Sequence, residues 1–394
     1  MMNAESKRKG VSPEINAAYA EKLSKMIQCK TVWTHDGENA PEFSRFYEAL
    51  ESLFPNLTAK AKKLTFGGGC FVYVLEGKNA KKNIMLMSHH DVVEGSPDWQ
   101  TDPFQPTEKD GFLYGRGTID TKTPLFAELQ AAEELLAEGY EFEGINLYIG
   151  SSNSEEVCGD GMVLATEYFR QQGIRFHAVI DEGGAITEGQ IPGVKCKSAV
   201  VAVHEKSRHL FRCRAELDTK GHGGFGGSKD SAVERLSRFI TEVSDKKDKI
   251  YKGRFYPEVK ATFEGHVPYM AFPMNVLFGN MGLFAPLIKK IMMGIPAASA
   301  MLSTGLSFTT VMAGDSRDPQ IRAKTAETTM FLRCVREEDL YAGLEKIKAI
   351  GTKYGVTIEE MERDYCVPTD FTGDAYRAVE ALLRRNFPDV RTVP

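Results

Sequence analysis

Four short apolar runs, at 71–75, 84–88, 145–149 and 178–180, share the first half of the chain with helix-like segments. That alternation constrains the fold more than any other feature. Strands that take turns with helices predict an α/β fold with a mostly parallel sheet. In open sheets of this kind ligands bind beyond the carboxyl ends of the strands. The first helix is announced by Ser12 as N-cap and Pro13 at N1, with Ile15, Tyr19, Leu23, Met26 and Ile27 at helical spacing. A second begins near Glu42, and a third starts at Thr123-Pro124 and ends near Gly139. Past about residue 205 the pattern changes. Phe211, Cys213, Ala215 and Leu217 alternate with Arg212, Arg214, Glu216 and Asp218, as in a half-solvated antiparallel strand. Similar alternation returns at 325–334, with helix-like segments at 232–243 and 283–292 between. The expected organisation is a larger domain of residues 1–204 and 337–394 and a smaller α+β domain, 205–336, inserted into it.

The length of 394 residues suits such a division, since it exceeds what one compact core organises. Forty-nine Lys and Arg against fifty-four Asp and Glu leave a net charge of −5, which excludes the basic footprint of a nucleic-acid or anionic-membrane binder. The seven cysteines contain no C-x-x-C pair, and no apolar stretch follows the basic N-terminus. Reduced thiols in a cytoplasmic protein are therefore expected. The uncharged stretch 291–314 carries Gly294, Pro296 and Gly305, and is expected to be buried helix plus strand, not a membrane span.

Carboxylates and histidine collect where the predicted strands end. Run 84–88 leads into His89-His90-Asp91, where His89 and Asp91 share a face and His90 points away. That arrangement suits a metal-binding imidazole and the carboxylate orienting its other nitrogen, or equally a surface turn. Asp120 follows the glycine-rich turn Gly115-Arg116-Gly117-Thr118-Ile119; alone, it could simply complement a helix dipole. Run 145–149 empties into Ser151-Ser152-Asn153-Ser154-Glu155-Glu156, and run 178–180 into Asp181-Glu182-Gly183-Gly184. Hard oxygen ligands with one imidazole suit a hydrolytic zinc, manganese or cobalt site.

Taken together, His89-His90-Asp91-Val92-Val93, Trp99, Asp102-Pro103-Phe104, Asp110 through Gly117 leading to Asp120 and Lys122, Glu155-Glu156 and Asp181-Glu182-Gly183-Gly184 resemble peptidase family M20. The similarity is to its carboxypeptidase S, aminoacylase and N-acyl-amino-acid hydrolase branch. The resemblance implies a zinc-peptidase-like catalytic domain with an inserted lid and dimerisation domain, and two Zn2+ ions, with Co2+ or Mn2+ as substitutes. It makes His89 a ligand of one metal, Asp120 the bridging carboxylate, Glu156 a ligand of the second metal and Asp181 the ligand completing the first, with Glu182 as the alternative. Glu155 matches the general base and Asp91 the residue buttressing His89. His222 matches a histidine that reaches across a homodimer as an oxyanion donor, and Arg333 the family's arginine. The implied reaction is hydrolysis of an amide or peptide bond next to a free carboxylate, in an N-acyl amino acid or short peptide.

Gly221-x-Gly223-x-x-Gly226 formally satisfies a dinucleotide fingerprint, but the strand before it alternates arginine with apolar residues, unlike a Rossmann first strand. None of the eight histidines lies beyond the inserted domain, although the family takes a second-metal ligand from that region. Two expectations follow: a fragment lacking its final segment, or a catalytically inactive M20-like binding protein.

Overall fold

The sheet of the first half is mixed. In the computed structural model, which describes residues 12–189, 193–217, 231–314, 317 and 320–394, the chain forms two units, 1–183 and 184–394. The first contains α1 (Pro13–Ile27), α2 (Ala40–Leu53), α3 (Pro55–Lys60), β1 (Lys62–Phe66), β2 (Cys70–Leu75), β3 (Lys78–His89), β4 (Thr107–Lys109), β5 (Phe112–Tyr114), α4 (Lys122–Ala137), β6 (Glu143–Ser152), α5 (Gly161–Gln171) and β7 (Ala178–Ile180). The strand order is β1-β2-β6-β3-β7. β3 runs parallel to β6 and β7, whereas β1–β2 and β2–β6 are antiparallel. This departs from the mostly parallel sheet expected, because β1 is short and half-polar and the turn after it is glycine-only. Gly67 and Gly68 take left-handed φ of 51° and 75°, which a glycine adopts without steric cost, and the chain doubles back as a hairpin.

β2 is buried along its whole length. Alternate residues serve opposite faces of the sheet. Phe71, Tyr73 and Leu75 pack with Met26 and Ile27 of α1, Phe46 and Leu50 of α2 and Leu125 and Leu129 of α4. Val72 and Val74 pack on the other side with Met85, Tyr148 and with Ala165 and Phe169 of α5. Helices therefore cover both faces. The parallel register sets His89 opposite Ser152 and Leu86 opposite Ile180, so the ends of β3, β6 and β7 open at one edge.

The second unit holds β8 (Ile186–Glu188), β9 (Lys197–Val200), β10 (Ser207–Glu216), α6 (Ala232–Ile250), α7 (Pro257–His266), α8 (Met274–Gly279), α9 (Met281–Met293), α10 (Pro296–Leu302), β11 (Gly305–Ala313), β12 (Thr325–Cys334), α11 (Glu337–Tyr354), β13 (Val356–Asp364), α12 (Asp374–Asn386) and β14 (Val390–Val393). An antiparallel sheet has the order β11-β12-β10-β13. The alternation read in β10 is observed: Phe211, Cys213 and Ala215 are buried with Leu236 and Phe239 of α6 and Leu340 and Leu344 of α11. Outward-facing Arg214 pairs with Glu327 across the sheet at 2.7 Å. This sheet does not stop at 336, the boundary expected from the sequence. β13 pairs with β10 from Arg208↔Asp364 to Ala215↔Val356. Only Val356 of β13 is buried, so its apolar pattern was too weak to announce it. A separate sheet has the order β14-β9-β8.

The uncharged stretch 291–314 forms the end of α9, then α10 and β11. Among the described residues no helix is long and apolar enough to cross a membrane. Each of the seven cysteines is a free thiol.

Candidate metal centre

His89, the last residue of β3, is 1% exposed and stands at the middle of an acidic cluster. Its Nε2 lies 2.9 Å from Asp120 Oδ1, 3.3 Å from Glu182 Oε2 and 3.8 Å from Glu155 Oε2. Its Nδ1 lies 2.8 Å from the main-chain oxygen of Asp91 and 3.4 Å from Asp91 Oδ1. The ring is thus held from behind by Asp91 and faces carboxylates in front, the orientation in which a histidine presents one nitrogen to a cation.

The four carboxylates come from three strand ends or loops. Glu155 and Glu156 open a single 3-10 turn, Glu155–Val157, just past β6. Asp120 follows the glycine-rich turn; its peptide bond to Thr121 is cis, and Thr121 Oγ1 lies 3.2 Å from both the amide and the carbonyl oxygen of His89. Lys122 is fully buried and donates to the carbonyls of Met26 and Cys29 at 3.0 and 2.8 Å, tying the loop to the end of α1. Arg116 stacks on Trp99 at 5.0 Å and donates to the Glu94 carbonyl at 2.9 Å, which anchors the turn from its other side. His90 points away from the cluster, into the core. It lies between the rings of Phe46 and Phe71 and hydrogen-bonds Ser151 Oγ at 2.8 Å, and burial keeps it neutral.

Two groups have the spacing of a cation site. Ligand atoms of His89, Glu155 and Glu182 lie within 4.8 Å of one another, and so do those of His89, Asp120 and Glu156. Burial holds the Glu155, Glu156 and Glu182 carboxyls above the ordinary range, and the neighbouring acids add to it. For His89, burial opposes the charge, but the Asp91 side chain and Glu182 outweigh it and push the imidazole up to about 10. Among the described residues, neither lysine nor arginine forms a salt bridge with Asp120, Glu155, Glu156 or Glu182. Glu182 Oε2 is buried without accepting a hydrogen bond. Four carboxylates around one imidazole, with no lysine or arginine paired to them among the described residues, fit a divalent metal.

The structure brings together His89, Asp91, Asp120, Glu155 and Glu156. Asp181 differs from its expected place as the ligand completing the first metal. It is exposed, its Oδ1 accepts the Glu182 amide at 2.9 Å, and it is Glu182 that faces His89. Successive side chains leaving a strand point to opposite sides, so only one acid of the pair faces inward. His222 and the glycine run beside it lie outside the described residues. Arg333 lies in β12 and pairs with Glu205 at 3.1 Å.

Glu128 of α4 was not anticipated from the sequence, where it reads as an ordinary helical glutamate. Its Oε1 accepts the Ser88 hydroxyl at 3.0 Å, while Oε2 is buried without a partner. Burial raises its pKa, and despite the Ser88 hydrogen bond the nearby Asp181 and Glu182 charges help push it up to about 8. The metal-free folded protein therefore keeps this proton over a range where the unfolded chain, titrating near 4.3, has lost it. Stability falls as pH rises through that window. Glu128→Gln should raise the Tm of chelated protein at pH 8, by ~2–4 °C per kcal/mol gained, and the gain should vanish by pH 4. An equal gain at both pH values in a thermal melt would contradict this.

A family model described as "Peptidase family M20/M25/M40" matches residues 85–394. N-fatty-acyl-amino acid synthase/hydrolase PM20D1 of Mus musculus is 26% identical over 392 residues, covering 97% of this chain and 76% of the relative. Probable carboxypeptidase S-like 2 of Dictyostelium discoideum is 24% identical over 390 residues, covering 95% and 73%. Among solved structures, the di-peptidase Dug1p from Saccharomyces cerevisiae shares the fold with a TM-score of 0.63 at 17% identity, over 96% of this chain and 84% of that one.

Proposed function

Because the chain belongs to peptidase family M20/M25/M40, we propose that its acidic cluster hydrolyses the amide bond of an N-acyl amino acid or short peptide next to a free carboxylate. Membership itself makes it a metallohydrolase of amide or peptide bonds with small-molecule or peptide substrates. The finer reading rests on one observation, the convergence of His89, Asp120, Glu155, Glu156 and Glu182 on two overlapping cation-sized triads. Glu182 and His89 would hold the first of two zinc ions, Glu156 the second, and Asp120 both. Zn2+, or Co2+ or Mn2+ in its place, supplies a polarised water and a Lewis acid for the carbonyl. Glu155 takes the proton of the attacking water and returns it to the departing amine nitrogen. Asp91 orients the His89 ring. His222 acts as an oxyanion donor within a homodimer formed through the inserted domain, and the protein works in the cytoplasm.

One observation favours a second reading, an inactive M20-like binding protein. Both triads draw on the same imidazole, so among the described residues a second cation has only carboxylates of its own. A panel of N-acyl amino acids and dipeptides, assayed after chelation and after zinc re-addition, separates the two. Hydrolysis that chelation abolishes and zinc restores is the expected result. Zinc binding with no turnover on any member would leave the inactive reading.

A further inference from the structure

The Asp91 carboxylate has two bonds that orienting His89 does not require. It is fully buried, Oδ1 accepts the amide of Glu155 and Oδ2 the amide of Glu156, each at 3.0 Å. These are the first two amides of the 3-10 turn Glu155–Val157, which have no partner within the turn itself. The residue that should cap them, Ser154, makes no side-chain cap hydrogen bond. The Ser154 amide itself donates to Ser152 Oγ at 3.2 Å. The cap therefore comes from Asp91, two residues past the end of β3. A carboxylate suits this place because it has acceptors on both oxygens and no donor, so it satisfies two adjacent N–H groups at once.

We infer that Asp91 is the N-cap, supplied across the sheet, of the turn bearing Glu155 and Glu156, and that it positions the base as well as His89. This rests on the reading of Glu155 as base. Asp91 touches neither substrate nor reacting atoms and is a positioning residue. Its side chain lies against three parts: the His89 ring, whose Nδ1 is 3.4 Å from Oδ1, the Glu155 amide and the Glu156 amide. A shift of any one is carried to the others through a single buried carboxylate.

Asp91→Asn tests the inference with little change of shape. The amide oxygen can still accept one N–H, but its NH2 faces the other, donor against donor. Hydrogen exchange should accelerate at least tenfold at the Glu155 or Glu156 amide. At saturating zinc, with metal content verified, kcat should fall by ~100-fold, the cost of a reacting group misplaced by ~1 Å, while KM changes less than about threefold. In a Glu155→Gln background the same substitution should cost less than about threefold, because the group being positioned is already disabled. Undiminished loss of kcat in that background would show that Asp91 acts through His89 alone and overturn the inference, as would unchanged exchange at both amides. If the wild-type protein hydrolyses nothing on the substrate panel, the reading of function fails instead, and amide exchange still decides whether Asp91 caps the turn.

Discussion

Glu155→Gln is expected to leave zinc content within about twofold of wild type while lowering kcat by ~10³–10⁴-fold, toward the upper end of what a positioned general base contributes. The substitution preserves shape and the Glu155 amide bond to Asp91 but removes the proton acceptor. Glu155 Oε2 is the cluster oxygen farthest from His89 Nε2 among those paired with it, at 3.8 Å against 2.9 and 3.3 Å for Asp120 and Glu182. Metal analysis beside single-substrate kinetics checks the prediction. A variant that loses its zinc would exchange the roles of Glu155 and Glu156.

The Asp181-Glu182 pair should show a comparably large difference. Glu182→Ala is expected to weaken the first zinc by more than about 100-fold, above the 10–100-fold typical of losing a supporting residue, and to abolish turnover at low zinc. Asp181→Ala should change zinc affinity by less than about threefold. Glu182 Oε2 is buried, without a hydrogen bond, and 3.3 Å from His89 Nε2. Asp181 is solvent-exposed and holds the Glu182 amide. A zinc competition titration with a chromophoric chelator reads both constants. Equal losses in the two variants would mean that binding metal rearranges the loop to draw in both acids.

His89, Asp91, Asp120 and the Glu155-Glu156 pair were legible in the sequence because each sits where an apolar run or a glycine turn gives way to polar residues. Period-two alternation also showed that His89 and Asp91 face one way and His90 the other. The same rule could not choose between Asp181 and Glu182. Run 178–180 is too short, and exposed at Val179 and Ile180, to reveal which face is inward. The burial of Lys122 and of Glu128 escaped for a related reason. Charged residues at helical positions normally face water, and only the packing of α4 against α1 and β3 buries them. The hairpin β1–β2 and the extension of the second sheet to β13 were missed because half-polar strands carry little hydrophobic signal.

By itself the sequence determined the element types of the first half, the inventory of carboxylates and the single histidine among them. Those follow from local periodicity and from residue chemistry, which do not depend on distant parts of the chain. Only the tertiary structure decided that the ends of β3, β6 and β7 align, so that residues from positions 89, 120, 155 and 182 gather within ion-binding distance. It also decided that Asp91 gives its carboxylate to two backbone amides of the 3-10 turn that follows β6. Register and cross-strand capping are set by which faces are buried together, and that is a property of the packed sheet and not of any segment of it.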